Sequence, residues 1–331
     1  MRVKLRFIFV LFICIYFPLA HAQWNQFSST AMTTSLDLEF WFEDPEKAEE
    51  LSLQVFAEFN RIESVMTRYE STSELSNINR LASTQVLPVS AGLFKVLQRS
   101  HEISMQTQGA FDMTFASVGY LYDFRKAKQP SSSEVSTRLS SIDCRDVLLG
   151  FKKQTVRFTH PNVVVDLGGI AKGYAVDEGI KLLKQAGVQY ARLSAGGDMR
   201  LLGDKKGKPW IVGVKDPRSS LKANKNVVAL PLSDVSISTS GDYERYFVDE
   251  NGERIHHIIA PKTGRPVKGI QSVTVIGPNT MMTDGLSTAI FVLGVEKGLA
   301  MANRLTDIDV IIIDVSRQLH FSDGLMSPVQ Q

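Results

Sequence analysis

The sequence predicts an α+β fold of mixed, largely antiparallel sheets with packed helices. Three observations carry that reading. Amphipathic helical stripes and short strand-like runs are mixed without the regular βαβ alternation of a doubly wound sheet, and the dinucleotide fingerprint GxGxxG is absent. In addition, 44% of the 331 residues are apolar, enough to bury a large core as one big domain or two intimate ones.

The chain opens MRVKLRFIFVLFICIYFPLAHAQW. Arg2, Lys4 and Arg6 precede an apolar run that ends in Ala20-His21-Ala22, the pattern of a secretory signal peptide over residues 1–22 cleaved before Gln23. An uncleaved membrane anchor is the alternative, against which the apolar core is short. Ile13 before Cys14 is too large for a lipobox. Losing the leader takes Lys+Arg from 37 to 34 against 35 acids. That near-neutral balance excludes a nucleic-acid-binding surface, which needs a strong basic excess. Only Cys144 then remains, so there is no internal disulfide in a compartment that would permit one. CxxC, HExxH, zinc-spaced clusters and tandem repeats are absent.

Met32 to Trp41 alternates as a half-buried strand, and Asp44-Pro45 starts a helix with a core stripe of Leu51, Val55, Phe59, Ile62 and Met66. Glu70 to Arg80 reads as a loop with a short helix, Leu93 to Met105 as a second amphipathic helix, and residues 126–143 as a polar surface excursion before a strand at Asp146 to Leu149. In Val163 to Asp177, VVVDLGGIAKGYAVD, three valines read as a buried strand, Gly168 and Gly169 let the backbone turn close to a ligand, and a helix begins near Ala171 that Gly187 can cap. A helix N-terminus behind paired glycines offers amide donors to a phosphate, to which Lys172 adds a mobile positive charge. Strand-like runs follow at Tyr190 to Ser194, Trp210 to Val214, Val228 to Leu232, Val235 to Thr239, Val273 to Ile276 and Val310 to Val315, with helices at Asp284 to Leu293 and Glu296 to Arg304.

In TDGLSTA, residues 283–289, Asp284 and Thr288 are four apart on one helix face. Two oxygen side chains suit magnesium, which keeps waters and substrate phosphates in its octahedron. Helix capping by Thr283 or Asp284 is the plainer alternative. Leu193 to Asp198, Ser238 to Asp242 and His257 to Gly264 end strands in glycine-bearing turns that are individually weak signals. His257 beside such a turn is a candidate general base or ligand contact, with a structural role as the other option, while His256 on the opposite strand face reads as structural.

Taken together, the segments MTRYESTSELSNIN (66–79), GAFDMT (109–114), VDLGGIAKGYAVD (165–177), LSAGGD (193–198), ISTSGDYERYF (237–247), HHIIAPKTGRPV (256–267) and TDGLSTA strongly resemble the ApbE family, the FAD:protein FMN transferases. The resemblance runs from Met32 to about Val315 and implies an ApbE-like, T-fold-like architecture over residues 23–331. It implies cleavage of the FAD pyrophosphate, transfer of FMN to a threonine of an acceptor protein, release of AMP and a need for magnesium. Carried over residue by residue, Met32, Tyr69, Ala110, Phe111, Asp112 and Ile259 would hold the isoalloxazine and adenine moieties. Asp166, Lys172, Ser240 and Gly241 would contact the nucleotide, and the Gly169 carbonyl, Asp284 and Thr288 the metal. His257 or Asp284 would take the acceptor proton. Ser287 stands where some members carry a second carboxylate, and Ala260 where members usually have Asp. Acceptors of such enzymes are typically subunits of membrane redox pumps and other exported flavoproteins, which fits periplasmic placement. Rival readings are an FAD pyrophosphatase using water as acceptor, and a non-catalytic flavin carrier. A third, that the chain is itself an acceptor through DGLSTA, is disfavoured because Ile290 lies where a modifiable threonine would be.

Overall fold

A computed structural model describes residues 23–219 and 225–326; the leader expected over residues 1–22 lies outside them. The centre is one eight-stranded sheet. In spatial order its strands are Gln23–Ala31, Thr34–Phe42, Ala191–Ala195, Asp198–Leu202, Ser236–Gly241, Ile270–Gly277, Asp309–Asp314 and Leu319–Phe321, with every neighbouring pair antiparallel. The α+β, largely antiparallel expectation is met.

Three helices supply most of the other layer of the core. Pro45–Met66 starts where expected, because Asp44 accepts from the Glu46 and Lys47 amides and Pro45 sits in the first turn. Its stripe of Val55, Phe59, Ile62 and Met66 is buried, with Leu51 partly so. These side chains meet Leu36, Leu38 and Phe40 of the sheet and Val176, Ile180 and Leu183 of the Ala171–Gln185 helix. Gly187, at φ +86°, closes that last helix as its residue type suggested. The Thr280–Ala302 helix lies beside it and packs Leu286, Ala289, Ile290 and Phe291 into the same core.

Several expectations need correction. The first strand is not Met32 to Trp41 alone: Met32 and Thr33 form the tip of a hairpin, with φ of 52° and 62°, and Gln23–Ala31 is its unforeseen other arm. Gln23–Ala31 is an edge strand that buries little beyond Asn25 and Ala31, so its apolar alternation is faint. Val163–Val165 is buried or half-buried, as expected, but joins no sheet. Side chains satisfy its backbone instead: Asn79 brackets Val165, donating to its carbonyl at 2.9 Å and accepting from its amide at 2.8 Å, while the Ser117 hydroxyl accepts from the Val164 amide at 2.9 Å. Lastly, the helix expected from Asp284 begins four residues earlier. Asn279 caps it, so neither Thr283 nor Asp284 does, and it continues through the two predicted helices to Ala302 with a kink at Gly294, φ +79°.

Candidate active site

Two helix N-termini face each other across the site and cap one another. Asp284, one turn into the Thr280 helix, accepts the Gly173 amide at 3.0 Å, while Asp177 of the Ala171 helix accepts the Thr280 and Met281 amides at 2.8 and 2.9 Å. A carboxylate at each positive helix end is the stabilising arrangement. The contact requires glycine, because a Cβ on Gly173 would lie 2.3 Å from the Thr280 carbonyl oxygen. Burial raises the Asp177 carboxyl above its ordinary pKa, against the pull of those two amides.

The glycine turn ahead of the Ala171 helix is only partly open to a ligand. Gly168 donates to the Asp166 carboxylate at 2.7 Å, and Ile170 and Ala171 donate to the Leu167 carbonyl, which leaves the amides of Gly169 and Lys172 without a partner among the described residues. Gly169 lies against its neighbours tightly enough that a Cβ would meet the Thr288 hydroxyl at 3.3 Å and the Phe111 ring at 3.4 Å. Asp166 is held in turn by the Tyr120 hydroxyl at 3.1 Å and by Arg68 at 3.6 Å, and the Arg68 guanidinium stacks on the Tyr120 and Tyr69 rings at 4.0 and 4.6 Å. Burial and the neighbouring Asp166 charge push the Tyr120 phenol well up, so it is a hydrogen-bond donor throughout the physiological range.

Lys172 is not the mobile cation the sequence suggested. Its ammonium is 2.6 Å from Asp198 and 3.5 Å from Asp284, with both carboxylates nearly buried. Burial works to lower its pKa, but the two carboxylates outweigh that and hold the lysine charged. Burial first, and then the Asp198 charge, raise the Asp284 carboxyl, with Lys172 opposing. Two acids share one lysine, so the cluster has a negative charge to spare when both ionise.

Beside it runs a row of hydroxyls. Ser236, Ser238 and Ser240, alternating on one strand face, pair with Thr280, Thr283 and Ser287 at 3.0, 2.8 and 2.8 Å. Ser240 also lies 3.3 Å from the Thr288 hydroxyl. Asp284, Thr288 and the Gly169 turn thus offer only oxygen donors, with excess negative charge and access to the cavity, and this set fits a hard divalent cation. Among the described residues no group of three or more His, Cys, Asp or Glu gathers to hold a metal. Any ion would therefore rely on water or ligand oxygens for its remaining coordination.

The glycine turn, Lys172, Asp198, Asp284 and Thr288 line a cavity of about 440 Å³, which also takes in Met32, Tyr69, Ala110, Phe111, Asp112, Ser240, Gly241, His257 and Ile259. Every site residue expected from the sequence lines it, together with Asp166, Gly169, Lys172, Asp284 and Thr288. The volume is within the roughly 300–1,000 Å³ of small-molecule and cofactor sites. Phe111 and Ile259 make a buried apolar wall and Tyr69, 63% exposed, stands at the mouth.

Asp112 needs a narrower role than that of a ligand-facing carboxylate. One of its oxygens accepts the Thr114 amide and hydroxyl at 2.8 and 2.6 Å, and the other accepts the Cys144 amide at 2.9 Å. His257 places Nδ1 3.3 Å from the Arg245 carbonyl; burial, then the Arg245 charge, push its pKa down to about 4, so it is neutral near pH 7. His256 is structural as expected: buried, with Nε2 2.7 Å from the Val267 carbonyl and its ring edge-on to Phe291. Sequence reasoning missed Arg68, Tyr120, Glu63 and Asp198 as site residues. Arg68 and Asp198 carried a signal, as members of the segments MTRYESTSELSNIN and LSAGGD. Glu63 accepts the Met32 amide at 2.7 Å and so fixes the hairpin tip at the cavity.

An antiparallel α+β protein whose cavity combines an apolar wall with glycine turns, a lysine and oxygen donors has the chemistry to take a flat, phosphate-bearing ligand. The chain matches the ApbE family over residues 32–312. It is 35% identical over 254 residues to a FAD:protein FMN transferase of Haemophilus influenzae, covering 73% of this chain and 72% of that one. With one from Klebsiella pneumoniae it shares 31% identity over 299 residues, 89% and 91% of the two chains. Among solved structures, the ApbE protein of Thermotoga maritima superposes with a TM-score of 0.83 at 28% identity, covering 92% of this chain and 98% of that one. The flavin transferase ApbE of Vibrio cholerae gives 0.81 at 28% identity, over 92% and 99%. The chain belongs to the ApbE family.

Proposed function

We propose that this protein is an exported, magnesium-dependent FAD:protein FMN transferase, which joins FMN through a phosphoester to a threonine of an acceptor protein and releases AMP. The observation that carries the reading is the buried Asp198–Lys172–Asp284 cluster at the foot of a cavity whose glycine turn leaves two amides open. A flavin carrier has no need of that charge arrangement.

The isoalloxazine would lie against Phe111, Ile259, Met32 and Tyr69, with the diphosphate near the Gly169 and Lys172 amides and the ion-paired Lys172 ammonium. Asp284, the Thr288 hydroxyl and the Gly169 carbonyl would hold the magnesium ion, whose chemistry there is to neutralise charge on the diphosphate oxygens. The acceptor threonine oxygen attacks the FMN phosphorus in line; the new O–P bond forms as the bond to the AMP oxygen breaks. The hydroxyl proton passes to His257 or Asp284, directly or through water. His257 is neutral near pH 7, so with Nδ1 directed at the Arg245 carbonyl its Nε2 carries the free lone pair. The acceptor is a subunit of a membrane redox pump or another exported flavoprotein, in keeping with the secretory leader expected over residues 1–22.

Incubating the protein with FAD, magnesium and an extract of envelope proteins, followed by in-gel flavin fluorescence and mass measurement, tests this. The reading predicts a fluorescent acceptor heavier by one FMN, with equimolar AMP. AMP and free FMN with no labelled protein would instead identify a pyrophosphatase that uses water.

A further inference from the structure

We infer that the acceptor protein docks by adding an extended, threonine-bearing segment to the free edge of the Tyr246–Val248 strand, which feeds its hydroxyl into the cavity. The inference rests on the transferase reading above. Tyr246–Val248 and Arg254–His256 form a two-stranded hairpin separate from the main sheet. Glu244 and Arg245 just before it, and His257 just after it, line the cavity, so this hairpin runs out of the site and back into it.

Among the described residues, no backbone hydrogen bond reaches the strand's outward edge. The His257 amide donates to the Arg245 carbonyl at 3.0 Å and the Asp249 amide to the Glu253 carbonyl at 2.9 Å. Antiparallel alternation makes Phe247–Ile255 the bonded pair between them, and so turns the N–H and C=O of Tyr246 and Val248 away from the partner strand. Tyr246 and Val248 are 42% and 57% exposed, while Phe247 is buried with Tyr122 and Ile255 and lies 6.0 Å from the Phe124 ring. The hairpin is therefore anchored through Phe247, with Tyr246 and Val248 on its exposed face.

Edges of this kind invite another strand, and proteins usually blunt them with Lys, Pro or a bulge. Tyr246-Phe247-Val248 carries none of these three; its one blunting feature is its length of three residues, which holds an added strand to a short register. A strand added there lies about 4.8 Å away, and two residues further along it reach roughly 7 Å, from Tyr246 to the level of Glu244 at the cavity mouth. Main-chain pairing would give affinity for any extended segment of that kind, and β-branched threonine suits it.

The test uses the full protein with FAD, magnesium and the soluble domain of a redox-pump subunit that carries a flavin-accepting threonine. Val248→Pro removes an outward-facing amide without touching the hairpin's own ladder. It should raise KM for the acceptor at least tenfold and leave FAD affinity within twofold, while Val248→Thr behaves as the parent. Hydrogen exchange on the parent should show the Tyr246 and Val248 amides slowing when acceptor is added. An unchanged acceptor KM, or no slowing, overturns the inference and leaves the transferase reading intact, and the exchange result decides alone if Val248→Pro does not fold. Amides already protected without acceptor, in a dimer that Val248→Pro splits, would assign the edge to a second copy and overturn it as well. A parent that binds FAD yet labels no acceptor ends both.

Discussion

Asp284 is the residue on which the proposed chemistry and the stability pull in opposite directions. Its carboxyl is raised by burial and by Asp198, so its ionisation disfavours the folded state. The sign follows from linkage: the stability this group contributes is full below its unfolded value near 3.8 and is lost as pH rises through the higher folded value. In EDTA, Asp284→Asn should therefore melt higher than the parent, by a margin that grows from pH 5 to pH 8, yet lose at least 100-fold in transfer. Thermal melts across that range check it, and a parent that gains on the variant with rising pH would contradict it. His257 has the opposite sign. Its pKa, pushed from 6.5 down to about 4, gives stability that is full above 6.5 and lost as pH falls through 4. His257→Gln should flatten that acid limb, and His257→Ala with full activity would leave Asp284 as the proton acceptor. At this scale the sequence was informative about type and poor about partners. Asp284, Thr288 and Gly169 were legible because their spacing on helix and turn is local. The Asp198–Lys172 contact, across 26 residues, and the Arg68–Tyr120 stack have no periodicity to give them away.

Between elements, the pair of helices that cap each other decides whether the floor of the site exists. Gly173→Ala would put a methyl 2.3 Å from the Thr280 carbonyl oxygen, and parting the helices should cost about 3 kcal/mol and drop transfer with it. Denaturant unfolding measures this, and a loss under about 0.5 kcal/mol would mean the helices shift freely. Asn79→Ala should cost about 2 kcal/mol by orphaning both backbone groups of Val165, with FAD affinity weakened through Asp166 and Gly168 just downstream. That bracket explains why three valines misled the sequence reading: an apolar run says that a segment is buried, whereas a strand also needs a neighbouring ladder, and here side chains took the ladder's place. The serine row is a case in the other direction. Ser236, Ser238 and Ser240 alternate legibly, but only the facing helix reveals that their hydroxyls are paired with it.

The whole molecule joins segments from its first hairpin, at Met32, to its long helix, at Thr288, around one cavity. The fold class was readable from the mixture of periods and the missing fingerprint, and seven ordered motifs pointed to the family. The strand order was not readable, because antiparallel neighbours such as Thr34–Phe42 and Ala191–Ala195 are distant in sequence and chosen by the packing of the helices between them. A cavity assembled this widely should stiffen the protein when filled. FAD with magnesium at 100 times its Kd should add about 2.7 kcal/mol, seen as a rise in Tm that either component alone does not match. The central claim is that the Asp198–Lys172–Asp284 floor serves to break a diphosphate in favour of a protein hydroxyl. It is tested most directly by intact-mass analysis of an acceptor incubated with FAD, magnesium and either the parent or Asp284→Ala. One FMN gained with the parent and none with the variant is the predicted result; labelling at equal rates by both, or by neither, would contradict it.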